Sequence, residues 1–344
     1  MTASRLRAPI PALILATLGA LAGTSPAVAA PARFKVATLA PQGSIWDGAL
    51  RSMGARWARD TSERVSLTVF PGGVAGDESD IVRKMRIGQF QGAGLTSTGL
   101  AEIDPAFKLF EIPMQFSSWA ELEAVISALE PEFDRRLADK GFVRVAWSHG
   151  GWVHLFSREP IRTLDDLKRQ KLFVWAGADE QVQQWRKSGF QPVPLPATEV
   201  TLGFQTGLID VVPTTPAAAL SLQWYRQAPY MTALGLAPLV GAVVVRKDAW
   251  EKVSATDREL LIAAGRELEE RLLGEVPKQD DESLAQMKAR GLTVIELAAD
   301  QRAAWTRAAE SFAEEARVGT VPPDILSAAR AKLAELAKAE ESAP

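Results

Sequence analysis

The chain has 344 residues, 47% of them hydrophobic and 24% charged, with a formal net charge of −3 at neutral pH. That is enough for two globular domains with cores of their own, and the near-balance of charge gives no compositional case for binding nucleic acid or a basic membrane-facing surface. Cysteine is absent, which excludes disulfides, thiolate metal sites and a cysteine nucleophile.

Arg5 and Arg7 precede an apolar run over 10–23, which passes into Thr24-Ser25-Pro26-Ala27-Val28-Ala29-Ala30. A positive start, a short apolar centre and a small-residue end form the pattern of a secretory signal peptide over residues 1–30, cleaved after Ala29 or Ala30. A transmembrane anchor would need about 20 apolar residues, and this run is shorter and carries Pro11. The mature chain is expected in the periplasm.

The apolar run 34–39 predicts a first strand, and Ser44 is placed to cap a helix over 45–61. Alternation over 65–70 predicts a second strand. The loop Pro71-Gly72-Gly73-Val74-Ala75-Gly76 invites a phosphate-loop reading, but it lacks both the G-x-G-x-x-G spacing and a following Gly-Lys-Ser/Thr. A glycine turn feeding a helix over 79–87, with Asp77 or Ser79 as cap, is the plainer reading. Residues 90–97 form a small-residue strand that lets a backbone or ligand approach closely. A helix over 119–137 and strands over 142–147 and 152–156 follow. Next come a strand at 172–175, a helix at 179–187, a strand near Val193, a helix over 198–206, a strand over 208–212 and an alanine-rich helix through Gln223-Trp224-Tyr225. The run 241–245 is a strong strand. Ser254-Ala255-Thr256-Asp257 starts a long amphipathic helix that Pro277 should kink or break. A strand over 292–297 and two helices split by Pro322-Pro323 close the chain. The alternation of strand and helix predicts an α/β fold with a parallel-rich sheet.

Catalytic and metal-binding patterns are missing. His149 and His154 are the only histidines, and five residues apart on a strand they point to opposite faces, so they do not share a metal. There is no Gly-x-Ser-x-Gly elbow and no His-Glu-x-x-His. No cofactor, no metal and no catalytic residues are assigned, although His149 beside Gly150-Gly151 could be a lone pocket donor.

Attention therefore falls on Lys171-Leu172-Phe173-Val174-Trp175-Ala176-Gly177, an apolar strand ending in a loop before a helix. Ligands in open α/β sheets sit beyond the carboxyl ends of such strands. Phe173 and Trp175 are two apart and share a face, which sees either core or ligand. Trp46, Trp152 and Trp224 are also aromatic and near loop ends, as is Tyr225. By contrast Trp57, Trp119, Trp185, Trp250 and Trp305 fall on helices and are expected to pack.

The order and spacing of several short motifs resemble one family. They are Lys35-Val36-Ala37-Thr38, Gly76-Asp77-Glu78, Lys84-Met85-Arg86-Ile87-Gly88, Ile112-Pro113 and Leu164-Asp165-Asp166-Leu167-Lys168 before Lys171-Leu172. Thr198-Glu199-Val200, Gln205-Thr206-Gly207-Leu208-Ile209-Asp210 and Gly241-Ala242-Val243 complete the set. From about residue 34 to 336 the chain resembles the periplasmic substrate-binding subunit of TRAP (tripartite ATP-independent periplasmic) transporters, the DctP-like proteins. The resemblance implies a two-lobe flytrap with mixed, mostly parallel sheets and a long lobe-spanning helix. Lobe I would comprise 33–151 plus 240–276 and lobe II 152–239 plus 277–337. It further implies a protein that is no enzyme and that delivers a small-molecule ligand to TRAP membrane permease subunits.

One departure from the family matters most. The family arginine that clamps a substrate carboxylate with two parallel hydrogen bonds is matched here by Phe173. A second family arginine falls where this chain reads Gly151-Trp152-Val153, a family asparagine is matched by Thr215, and a bulky aromatic is matched by Ala197. The expectation is an apolar or amphipathic ligand, with hydrogen bonds from Thr38, Thr96, Ser97 and Thr215 and ring contacts from Trp46, Trp152, Phe173, Trp175 and Trp224. The arginine-less branch of the family is paired in some bacteria with a TPR-repeat periplasmic partner. Three alternatives stand beside this reading: an organic acid held by a relocated Arg158 or Arg162, an adaptor docking a protein, and an exported α/β enzyme.

Overall fold

Residues 31–176, 179–316 and 320–341 are described in the structure, a computed structural model. The expected signal peptide and Gly177 lie outside them. Strand β1 (Ala32–Thr38) turns into α1 (Ile45–Asp60), where the Ser44 hydroxyl accepts from the Asp47 N–H as predicted. β2 (Val65–Phe70) pairs with β1 in parallel, and α2 (Glu78–Arg86) follows the glycine loop. Asp77 holds the N-cap position of α2 but makes no side-chain capping bond. β3 (Gly92–Thr96) runs directly into α3 (Ser97–Ala101), and a 3₁₀ turn (Pro105–Glu111) leads to α4 (Trp119–Asp139).

β4 (Phe142–Ser157) is one strand where the sequence predicts two. Its backbone stays paired through Gly150-Gly151 by shifting register between His149 and Trp152, so the glycines make a bulge instead of a break. α5 (Leu164–Lys168) opens with a Thr163/Asp166 capping box. Then come β5 (Lys171–Trp175), α6 (Asp179–Lys187), β6 (Gln191–Leu195), α7 (Val200–Gln205), β7 (Val211–Thr214) and α8 (Pro216–Ser221). β8 (Tyr230–Arg246) is a second long strand. After α9 (Lys247–Trp250), α10 (Ala255–Ala289) runs through Pro277 as one helix. The break expected at Pro277 does not occur, because apolar residues on both sides of it are held in packed cores. β9 (Thr293–Ile295), α11 (Ala299–Ala316) and α12 (Pro323–Glu341) complete the chain.

The strands hydrogen-bond in the order β2-β1-β3-β8-β4-β7-β5-β6, with β9 on β8. The outer pairings β1–β2, β1–β3, β5–β6 and β5–β7 are parallel, while β3–β8, β4–β8 and β4–β7 are antiparallel. β4 and β8 run through both halves and join two small parallel-edged sheets into a two-lobe, flytrap-like α/β fold.

Core packing follows the same division. Phe34, Trp57 and Leu261 share one cluster, and Phe107, Phe133 and Val244 share another, both on the β1 side. Phe156, Phe204 and Met287 share a third cluster, and Ile161, Leu172 and Trp305 a fourth, both on the β5 side. Helix α10 contributes Leu268 and Leu272 to the first lobe and Met287 to the second, and so spans them. Helix α12, expected with the second lobe, instead places Ile325, Leu326 and Ala329 in the first-lobe core, where it packs on α4.

The crossing point is tightly built. Gly151 has φ +99°, a conformation that favours glycine, and a Cβ there would run into the Asp280 carboxylate. Asp280, on α10, accepts from the Ala217 N–H at 3.0 Å and from the backbone of Trp152. One carboxylate thereby ties α10 to both β4 and α8. Burial pushes its pKa up to about 7.

Candidate ligand-binding site

Between the lobes lies a cavity of about 800 Å³. Its first-lobe wall is made where β1 and β3 end and α3 begins. Thr38 and Thr96 stand at those strand ends because small residues in β3 let β1 and β8 close around it. Behind them Glu78 is 2% exposed. It accepts from the Thr96 N–H at 2.7 Å, the Thr96 hydroxyl at 2.6 Å and the Gly99 N–H at 2.8 Å. Burial outweighs these bonds and pushes its pKa up to about 7. Glu111 takes the Thr98 hydroxyl at 2.9 Å and also bonds Ser97, and burial raises its pKa too. The polar groups of this wall thus bond chiefly to one another. The Thr38 hydroxyl oxygen accepts from the Ala40 N–H at 3.2 Å and keeps its proton to donate.

The opposite wall is dominated by aromatic rings, with Thr198, Thr201 and Thr214 among them. Phe173 and Trp175 line it from β5, with ring centroids 5.8 Å apart in an edge-on pair. Trp224 lines it as well, and its indole N–H is satisfied by the Thr201 hydroxyl at 3.0 Å. Trp46, facing them from α1, donates its N–H to the His149 carbonyl at 2.9 Å. Both indoles present ring surface to the cavity while their polar ends are occupied elsewhere.

Of the nine residues singled out in the sequence, Thr38, Trp46, Thr96, Ser97, Phe173, Trp175 and Trp224 line this cavity. Trp152 and Thr215 do not. Trp152 packs edge-on against Trp119 at 5.7 Å on the first-lobe core. Thr215 is fully buried and accepts from the Ala218 N–H, capping α8, while its neighbour Thr214 reaches the cavity. His149 is buried against Trp119 with Nε2 3.3 Å from Glu123, and burial lowers its pKa to about 4. It does not line the cavity.

Sequence reasoning passed over Glu78 and Glu111, the β8 segment Leu236–Leu239, and the lining roles of Trp185 and Trp305. The β8 segment had a readable signal: glycine and proline inside a strand mark close approach. Glu78 stood in plain view within Gly76-Asp77-Glu78, but nothing local reveals that a turn carboxylate is buried.

The cavity's charges are few. Among the described residues that line it there is no arginine, and Lys168 is the only cation. Arg158 is engaged elsewhere: it bonds the Phe204 carbonyl and sits 3.6 Å from Asp210. Arg162 does not line the cavity either. Neither arginine weighed in the sequence as a relocated clamp is thus among the residues that line the cavity. No group of three or more histidines and carboxylates able to hold a metal occurs among the described residues.

The lobes also touch across the cleft. The Ala197 N–H, ahead of α7, donates to Asp77 at 3.2 Å. Gly73 has φ +74°, and a Cβ there would lie 2.6 Å from the Thr198 methyl. Among the described residues no helix is long and apolar enough to cross a membrane.

Comparison with known proteins agrees with this architecture. Residues 36–317 match the family model DctP, bacterial extracellular solute-binding protein, family 7. The C4-dicarboxylate-binding periplasmic protein DctP of Rhodobacter capsulatus is 24% identical over 94% of this chain and 98% of its own length. The ectoine/5-hydroxyectoine-binding periplasmic protein of Ruegeria pomeroyi is 26% identical over 68% of this chain and 73% of its own length. Among solved structures, a TRAP periplasmic solute-binding protein from Xanthobacter autotrophicus Py2 with bound β-D-galacturonate superposes with a TM-score of 0.78 at 22% identity, covering 88% of this chain and 99% of its own. A Bordetella pertussis extracytoplasmic solute receptor binding pyroglutamic acid gives 0.80 at 20% identity, covering 87% and 99%. The chain belongs to the DctP family of extracellular solute-binding proteins, the ligand-capturing subunits that serve TRAP membrane permeases, and it binds a solute without transforming it.

Proposed function

We propose that this protein captures an apolar or amphipathic solute in the periplasm and hands it to its permease. The observation that carries the reading is that no arginine occurs among the described residues that line the cavity, with Phe173 standing where the family's carboxylate clamp is expected. Relatives whose names or bound ligands are acids, such as the galacturonate and pyroglutamic acid proteins, are acid binders in their own right. In this cavity a carboxylate would lie near Glu78 and Glu111, with Lys168 the one cation among the described lining residues, and an unpaired buried carboxylate costs several kcal/mol. Each 100 Å² of apolar ligand surface buried against Phe173, Trp175 and Trp224 contributes about 2.5 kcal/mol in the opposite direction.

On this reading Thr38, Trp46, Thr96, Ser97, Phe173, Trp175 and Trp224 contact ligand. Trp152 and Thr215 support the hinge and α8. Lobe I is 33–151 plus 240–276, joined by α12, and lobe II is 152–239 plus the rest of the C-terminal segment. The signal peptide over residues 1–30 is part of the same reading, and mass measurement of the exported protein should find a new N-terminus after Ala29 or Ala30. A TPR-repeat periplasmic partner rests on the resemblance to the arginine-less branch alone, and its test is co-purification from the periplasm.

The deciding experiment is thermal denaturation of the purified protein with candidate solutes, since a ligand that binds only the native state raises its stability. Long-chain alcohols should raise the melting temperature, and succinate and sialic acid should not. Tight binding of either acid would reject the apolar reading.

A further inference from the structure

The cavity does not stop at the cleft. Phe173 and Trp175 line it from one face of β5, and Leu172 and Val174 line it from the other. Adjacent residues of a strand point to opposite sides, so empty space exists on both faces of the same strand. The second face belongs to the interior of lobe II. There the lining is Leu164 and Leu167 of α5, Trp185 of α6, Phe190, and Trp305 of α11. These are the residues that pack the fourth core cluster, so the space is a limb within a core and not a second surface groove.

The limb has direction. Trp175 ends β5 at the cleft, whereas Lys168 and Ser188 line the cavity near the strand's beginning. Lys168 holds its ammonium 5.5 Å from the centre of the Phe190 ring, at the limb's far end. Five residues at a rise of roughly 3.3 Å give a passage of about 16 Å. Three bonds of extended chain cover about 3.8 Å, so this is the length of a tail of about a dozen carbons. Met114, which also lines the cavity, crosses from the first lobe to pack against this cluster. It holds φ +54°, and its N–H bonds the Leu236 carbonyl. A non-glycine residue in that conformation persists only where its surroundings fix it.

Polarity divides the same way. Both carboxyls, Glu78 and Glu111, stand with the hydroxyls of Thr38, Thr96 and Ser97 on the first-lobe wall, and the hydroxyls of Thr198, Thr201 and Thr214 line the cleft from the second lobe. Along its length the limb offers leucine, valine and aromatic rings, with Lys168 and Ser188 at its far end. We propose that the limb behind β5 is an acyl-chain site, so that the ligand is a linear, single-chain amphiphile with its tail in lobe II and an uncharged hydroxyl- or amide-bearing head in the cleft. This rests on the apolar reading above and narrows it from any apolar molecule to one that threads.

The test is binding of straight-chain alcohols from hexanol to tetradecanol to the whole exported protein, read by tryptophan fluorescence and melting temperature, with cyclododecanol as a ring isomer that cannot thread. Affinity should tighten about fourfold per methylene, the equivalent of about 0.8 kcal/mol, and level off near dodecanol. Dodecanol should bind at least tenfold more tightly than cyclododecanol. Ala308→Trp, which fills the limb from a half-buried position on α11, should cost dodecanol at least tenfold and leave hexanol unchanged. If that variant fails to fold, the chain-length series on the unaltered protein still decides. Equal binding of the ring and straight isomers would overturn the limb while leaving the apolar cleft standing. Failure of every alcohol, together with tight binding of an organic acid, would instead remove the apolar reading itself. Uptake of a two-chain lipid from phosphatidylcholine vesicles would overturn the single-chain assignment.

Discussion

The two walls of the cleft are built on opposite plans. The first-lobe wall is polar, but its polar groups are consumed by one another: Thr96 and Gly99 serve Glu78, and Ser97 and Thr98 serve Glu111. The second-lobe wall is aromatic, and the indole N–H groups of Trp224 and Trp305 are occupied internally by the Thr201 hydroxyl and the Arg162 carbonyl. A wall of satisfied polar groups gives orientation but little net energy, because each new bond to ligand replaces one to water or protein. A wall of buried rings gives energy in proportion to area. The difference teaches that affinity here should come from the second lobe and shape from the first, the reverse of a clamp built on a buried arginine pair.

The largest expected effect breaks the polar wall. Glu78→Ala leaves three donors without their acceptor, and unsatisfied buried groups cost about 1–3 kcal/mol each, so a stability loss of at least about 3 kcal/mol is expected in chemical denaturation. The loss should depend on pH. The folded protein holds the Glu78 proton up to about 7, against an ordinary value of 4.5, so it binds more protons than the unfolded chain between those values. The stability that Glu78 confers is therefore full below about 4.5 and declines as pH rises to about 7. The difference between native and Glu78→Ala protein should shrink over that window, and a constant difference would mean that Glu78 is not held protonated by burial.

A second substitution breaks the apolar wall. Phe173→Arg exchanges ring surface for a charge, and burying a phenylalanine is worth about 1.5–3 kcal/mol, so affinity for a long-chain alcohol should fall about tenfold to a hundredfold. Unchanged affinity would mean that Phe173 serves the core and not the cleft. Gly73→Ala acts on the seam between the walls: its Cβ would press on the Thr198 methyl, and φ +74° adds strain of its own. Affinity should fall about fivefold, close to 1 kcal/mol. Equal affinity measured by titration calorimetry would show that the loop and α7 need not meet for ligand to be held.

Much of this architecture was legible in the chain because its signals are local. The period-two run at Val65–Phe70, the caps at Ser44 and Ser254, and the apolar strand at Lys171–Trp175 each carry their own evidence within a few residues. The errors arose where distant contacts decide. Gly150-Gly151 reads as a break until β8 is present to pair across it, and Pro277 reads as a helix end until two cores hold the helix on either side. Trp152 was placed in the cleft as an aromatic near a loop end and Thr215 by its match to a family asparagine, yet a register shift and a helix cap direct them elsewhere. Seven aromatic and hydroxyl positions were readable because strand ends and helix starts in such sheets face the cleft by geometry. The buried carboxylates were not, since the charge of a residue says nothing of its depth.

The smallest expected effect sharpens the comparison most, because it measures what the polar wall contributes to closure. Asp77 receives the Ala197 N–H at 3.2 Å through one oxygen, while its other oxygen is buried without a partner. Burial raises its pKa, the mark of a carboxylate whose desolvation is only partly offset by its bonds. A charge-assisted bond alone is worth about 1.5–3 kcal/mol, but the cost of burying the second oxygen subtracts from it, leaving about 1 kcal/mol. Asp77→Ala should therefore weaken ligand binding about fivefold, whereas Asp77→Asn, which keeps an acceptor and sheds the charge, should stay within about twofold of the native protein. Loss of affinity in both variants would show that the charge itself closes the cleft. No loss in either would assign closure to the aromatic wall alone, and the first lobe would then act on the ligand only through its shape.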